Sequence, residues 1–256
     1  MAKKLTPTEE IEHYLRLATD SGATQAERDL ASTRAEKLMV KHAIDRAMLD
    51  PEGKKAEEII IRRVRIYGSK SSYSMNKVLG LNQVVLAMGL RMMITDRRDK
   101  KNNYTNDKAH IEINIVGFES DLDEAEMMVR SLDLQVMVAL RAWQKTPEYL
   151  NGAGTLPREE MFLAKHEFVK FLGSGAAHRI REERADAVQD AGPSTALVLV
   201  KREDKVKAAF DDMAGDSTSV RQRESGLGRG AGFAAGQQAG AGRKAGLGAS
   251  VKSIGR

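Results

Sequence analysis

The chain has 256 residues, 41% of them hydrophobic, a formal charge of +5 and no cysteine. That is enough apolar material for one large core or two small ones, and it excludes disulfides, thiolate metal sites and cysteine nucleophiles. The charge is unevenly spread: Arg221 to Arg256 holds seven basic residues against Glu224, a net of +6, which leaves residues 1–220 at −1 of the total.

Two helix starts stand near the N-terminus. Thr6-Pro7-Thr8-Glu9 and Thr24-Gln25-Ala26-Glu27 each place a capping threonine three residues before a glutamate, and the first also puts proline at the opening helical position. With Ile11, Leu15 and Ala18 on one apolar stripe, Leu30, Ala31, Ala35, Leu38 and Met39 on another, and Asp20-Ser21-Gly22 between, the reading is an α-hairpin over about 7–43. Asp50-Pro51-Glu52-Gly53 then breaks the chain.

The period changes in the middle. Val64 and Ile66 alternate with Arg63 and Arg65 within 59–67, and Ile111, Ile113 and Ile115 alternate with His110, Glu112 and Asn114, so both stretches are predicted strands. Met75, Val78, Leu79, Val85 and Leu86 recur at helical spacing between them, followed by a short strand over 90–95 and a polar hairpin loop over 96–103. The order is β-α-β-β, suited to a small mixed or antiparallel sheet with helices on one face. A long helix follows Gly117, with Ser120 as cap and Ala125, Met128, Val129, Leu132, Val136, Ala139, Leu140 and Trp143 as its buried stripe.

Pro147, Gly152, Gly154 and Pro157 mark a loop before another helix over about 158–189, interrupted at Gly173-Ser174-Gly175. After Gly192-Pro193, residues 195–200 read either as a strand or as the start of a helix to about Met213, and periodicity does not choose. From Ser225 onward ten of the 22 glycines fall in 32 residues. Disorder is the default there, because so little apolar surface offsets the ordering entropy. The competing reading is a helix, since Gly228, Gly232, Gly236 and Gly240 are spaced by four and would line one close-packing face. The predicted fold is α+β: an N-terminal helical hairpin domain over 1–50, an α+β domain with C-terminal helices over 56–215, and a basic, disordered or weakly helical Gly/Ala-rich tail over 216–256.

Ala35-Glu36-Lys37-Leu38-Met39-Val40-Lys41-His42-Ala43-Ile44-Asp45, within Glu10 to Leu49, resembles the N-terminal signature of the family catalogued as domain of unknown function 2786, found in actinobacteria and bacteriophages. Val116-Gly117-Phe118-Glu119-Ser120-Asp121-Leu122-Asp123 is similar to the strand-to-helix junction of the companion domain that usually follows. Residues 196–200 and 231–236 are similar to its C-terminal end. Met127-Met128-Val129, where relatives often carry an aromatic, and residues 168–178 depart from the pattern. The resemblance implies one architecture and a phage or actinobacterial origin, and brings no catalytic residue with it.

No residue set reads as catalytic, and no cofactor is implied. His166-Glu167 invites a zinc-peptidase reading, but position 170 is lysine and the next histidine is His178. His42 reads as a cation at a helix C-terminus. The acidic run Glu119, Asp121, Asp123, Glu124 and Glu126 suits the positive end of a helix without a metal ion. The basic groups Arg62, Arg63, Arg65, Arg97, Arg98, Lys100 and Lys101, with Arg221, Arg223, Arg229, Arg243 and Lys244 in the tail, read as phosphate contacts. Aromatics make up 5% of the chain, too few to favour base stacking, so binding to DNA or RNA would be sequence-tolerant and salt-sensitive.

The expectation is a non-enzymatic accessory protein, phage-encoded and associated with nucleic acid. The alternatives are an interaction module for a host protein or a second copy of the chain, and an unusual metal-dependent hydrolase. Met1-Ala2-Lys3-Lys4-Leu5 lacks an apolar signal region, and no window approaches the roughly 18 apolar residues of a membrane span. The expected location is therefore cytoplasmic, with no membrane partner.

Overall fold

The computed structural model describes residues 7–19, 57–67, 73–94, 110–214 and 226–239, together with scattered positions between 22 and 42. The fold is α+β, a small antiparallel sheet set among long helices. Among the described residues no helix is long and apolar enough to cross a membrane.

Helix α1 is Pro7–Thr19, starting at the predicted proline. A second N-terminal helical segment includes Glu27, Leu30, Ala31, Arg34, Ala35, residues 37–39, Lys41 and His42. Its capping box forms as read: the Thr24 N–H donates to Glu27 Oε2 at 2.8 Å and the Glu27 N–H to Thr24 Oγ1 at 3.3 Å. Ala31, Ala35 and Met39 are buried, whereas Leu30 is exposed, a correction to the predicted stripe. Spacing by four aligns the three buried residues, and Leu30 lies about 100° around the helix from Ala31. Ile11, Ala35 and Met39 belong to the same apolar cluster as Val64, Val78, Ile113 and Leu132, so one hydrophobic core runs through the hairpin and the α+β body.

The sheet has strands β1 (Ile59–Tyr67), β2 (Arg91–Ile94) and β3 (His110–Phe118) in the order β1-β3-β2. Both pairings are antiparallel, with Val64 opposite Ile113 and Tyr67 opposite His110 on one side of β3, and Ile94 opposite Ile113 on the other. Val64, Ile66, Ile113 and Ile115 are fully buried, as alternation requires. Glu112 and Val116 are buried too, so β3 is covered on both faces.

Helix α2 (Ser74–Ala87) buries Val78, Leu81, Val84 and Val85 together with Asn76 and Lys77. Helix α3 (Glu119–Trp143) buries the predicted stripe, except that Ala139 is half-buried. Its N-terminus departs from the reading: Phe118 is the boundary residue and Ser120 does not cap. Instead the Ser120 N–H donates to Glu57 Oε1 at 2.8 Å, so the orphan donor of the first turn is met by a carboxylate from before β1.

The expected loop after Trp143 contains helix α4 (Pro147–Thr155), capped by Thr146, whose side chain accepts the Tyr149 N–H. Thr146-Pro147-Glu148 is a strong start signal that the two following glycines obscured. Helix α5 (Arg158–Ala191) runs 34 residues without a break at Gly173-Ser174-Gly175, about 50 Å of helix. Those glycines are contact points: a Cβ on Gly173 would collide with the backbone of Gly80, and one on Gly175 with Phe233. Helix α6 (Pro193–Ala214) resolves 195–200 as helix, with Thr195 and Val198 inward and Leu197 and Val200 outward. It packs against β2 and β3.

Over Leu227–Gln238 the glycine-rich tail forms helix α7, the second of its two readings. Gly228, Gly232 and Gly236 are buried and face Ala164, Phe168 and Leu172 of α5, in the most extensive helix–helix contact of the fold. Both series ascend together, so the two helices are parallel. A carboxylate and a guanidinium from α5 hold the two ends. Both Glu167 oxygens accept the Gly226 N–H, at 2.9 and 3.0 Å, while Arg179 Nη1 donates to the Gly236 and Gln237 carbonyls at 3.1 and 3.0 Å and to that of Ala239. Negative charge at the N-terminus and positive charge at the C-terminus both oppose the helix dipole. Glu167→Gln is therefore expected to lower stability by about 1–2 kcal/mol in denaturant titrations, because it weakens a buried charge-assisted bond without changing shape.

Candidate functional site

Of the twelve predicted phosphate-binding residues, Arg62, Arg63, Arg65 and Arg229 fall within the described region, and the other eight lie outside it. Strand alternation separates the first three. Arg62 turns toward α3, where Nη1 donates to Asp123 Oδ1 at 2.9 Å and Glu126 Oε2 at 3.1 Å. Hydrogen bonding to Glu126, aided by Asp123, raises its pKa and outweighs burial. Burial pushes the Glu126 carboxyl up, but Arg130 and Arg62 together hold it below its ordinary value. With its charge met by two carboxylates, Arg62 is a tie between β1 and α3.

Arg63 and Arg65 remain open, with side chains 63% and 57% exposed. Between them they share Glu112, whose carboxylate is buried at 3.7 Å from Arg63 Nε and 3.5 Å from Arg65 Nε. Two exposed guanidiniums thus stand against the one buried carboxylate of Glu112. The connection between Ile94 and His110, which carries Arg97, Arg98, Lys100 and Lys101, begins opposite Ile113 and ends opposite Tyr67. Its ends therefore share the sheet end with Arg65. Arg229 lies on α7 with its guanidinium over the Phe171 ring, 4.8 Å from the centroid.

The acidic run is divided among partners rather than gathered. Asp123 and Glu126 hold Arg62, Asp121 Oδ2 accepts from Arg202 at 3.0 Å, and Glu124 is buried. Burial raises the Glu57 carboxyl, yet the Ser120 N–H and Arg202 more than offset this and leave it below its ordinary value. Among the described residues no group of three or more histidines and carboxylates is placed to hold a metal ion. His166 and Glu167 point to separate tasks: His166 Nδ1 lies 2.9 Å from Asn76 Oδ1 and its ring packs between Tyr73 and Phe162, while Glu167 caps α7. Burial, with the charge of Lys165, lowers the His166 pKa.

Sequence reasoning missed a cavity of about 50 Å³ between α3, α5 and α6. Its apolar wall includes Met39, Met88, Met128, Ile180, Leu199 and Val206, and Asp121, Glu124, Glu183 and Glu203 stand against Arg184 and Arg202. Arg202 lies over the Phe118 ring, 3.8 Å from the centroid, and bonds both Glu57 and Asp121. Arg184 bridges Glu203 and the Ala87 carbonyl. These residues come from separated segments, and no local motif announces them.

No protein-family model, curated protein or solved structure matches the chain.

Proposed function

We propose that this protein associates with nucleic acid through phosphate contacts, as a non-enzymatic accessory protein of the phage and actinobacterial kind that its N-terminal residues resemble. The reading is carried by the charge layout: a net of +6 over residues 221–256 beside a near-neutral body. Arg63 and Arg65 add two exposed cations outside the tail. Such contacts displace counterions and read no sequence, so affinity falls steeply with salt.

Separating Arg62 from its neighbours tests the reading. Arg63→Gln with Arg65→Gln is expected to weaken duplex binding and to reduce the slope of log affinity against log salt by up to about 2, and also to lower the melting temperature, because buried Glu112 loses both guanidiniums. Arg62→Gln is expected to lower melting temperature and leave the slope unchanged. The reverse pattern would place the phosphate contact at Arg62.

A protein partner is the second reading, favoured by Leu134 and Val138, which stand one turn apart on α3 at 72% and 65% exposure. Binding of that kind would survive high salt, because buried apolar contacts are not screened.

A further inference from the structure

We propose that the cavity between α3, α5 and α6 binds a neutral, unbranched alkyl chain, whose end seats among Met39, Met88 and Met128. Size, wall chemistry and charge each narrow the occupant. At about 50 Å³ the cavity is several times the roughly 15 Å³ that one water needs, and about a third of a dry cavity of roughly 150 Å³ that admits benzene. Scaled by carbon count, about two or three methylene groups fit and an aromatic ring does not. Close packing leaves few voids larger than a water in a native interior.

The wall is assembled from separate segments: Met39 from the N-terminal hairpin, Met88 from the end of α2 and Met128 from α3, closed by Ile180 of α5 and by Leu199 and Val206 of α6. None of these side chains offers water a strong hydrogen bond, so the space stays dry and burying alkyl groups there is favourable. Methionine is unbranched and takes several rotamers, so three of them can draw back around a flexible chain. A chain longer than the cavity leaves it on the side of Glu203, whose side chain is 41% exposed.

The charged groups around the cavity are already engaged within the protein. Arg202 pairs with Asp121 at 3.0 Å, Arg184 pairs with Glu203 at 3.1 Å and donates to the Ala87 carbonyl, and Glu124 and Glu183 have partners of their own. A charged head group would have to displace one of these partners, whereas a neutral one leaves them in place. The chain therefore supplies the affinity and the head group does not. None of these residues is among the predicted phosphate contacts, so the site is independent of the nucleic-acid reading.

The test uses the full chain, ¹³C-methyl methionine spectra and 1-hexanol as the probe. The Met39, Met88 and Met128 signals are expected to move saturably, while that of Met161, about 28 Å along α5 from Ile180, stays in place. Hexanoate and hexylammonium, with the same chain and a charge, should bind about tenfold more weakly, and so should benzyl alcohol, whose ring overfills the space. Val206→Leu puts one more methylene into the wall and should weaken 1-hexanol about fourfold. Leu199→Phe, at a half-buried position, fills the same space and serves if Val206→Leu does not fold.

Movement of Met39, Met88 and Met128 that does not saturate, or that Met161 shares, would overturn the proposal. Hexanoate or hexylammonium binding as tightly as 1-hexanol would overturn the neutral ligand, and benzyl alcohol binding more tightly would overturn the alkyl chain. Unchanged 1-hexanol affinity in a folded wall variant would show that the chain does not enter this cavity.

Discussion

Gly232→Ala is expected to destabilise the protein by about 2–4 kcal/mol, whereas Gly230→Ala, two residues away on the same helix, should stabilise it by about 0.5–1 kcal/mol. The two differ only in what a Cβ meets. At 232 it would run into the Phe168 backbone, and at 230 it meets nothing within 4 Å. For Gly232 the helices must separate, because the obstacle is main chain and cannot rotate away. For Gly230 the methyl group enters open space and the unfolded chain loses conformational freedom. Trp143, the single tryptophan, stacks on Phe168 at 4.8 Å between centroids, so its fluorescence reports the separation. Equal effects from the two substitutions would mean that α7 does not dock as described.

Breaking the Lys77–Asp133 pair is expected to have an effect of the same size. Lys77 Nζ lies 2.7 Å from Asp133 Oδ1, with side chains 7% and 8% exposed, joining α2 to α3. Lys77→Met leaves a buried carboxylate without its counter-charge and should cost about 3–5 kcal/mol. Replacing both, Lys77→Met with Asp133→Leu, should recover most of that loss, because the desolvation cost of two ions disappears along with their attraction. Urea titration of the two single variants and the double variant gives the coupling directly. A double variant as unstable as Lys77→Met alone would show that the site depends on shape rather than charge.

These two sites mark where the sequence was readable and where it was not. The Thr24–Glu27 capping box, the three strands and the long stripe of α3 all rest on local periodicity or local hydrogen bonding, and all were legible. The helix through Gly173-Ser174-Gly175 was not, because the reason for those glycines lies on other helices, at Gly80 and Phe233. Residues 227–238 show the same conflict: composition pointed to disorder, while four-residue spacing pointed to a close helix contact, and packing on α5 decided it. The pairing of Arg62 with Asp123 and Glu126 was not read, because charge runs are read as blocks. Period-two alternation already placed Arg62 on the opposite face from Arg63 and Arg65, a signal that could have been used. The cavity left no local trace, since long-range packing alone brings Met39, Met128 and Leu199 together.

The central claim is that the basic residues flanking α7 bind phosphate. Its most direct measurement is the affinity of a labelled DNA duplex across a salt series, for the native chain and for one carrying Arg221→Gln, Arg223→Gln, Arg243→Gln and Lys244→Gln. The account predicts that the native protein binds with a steep slope and that the variant loses up to about 3.6 of it, four contacts at 0.9 each. Equal slopes for the two proteins, or no binding by the native chain, would contradict it.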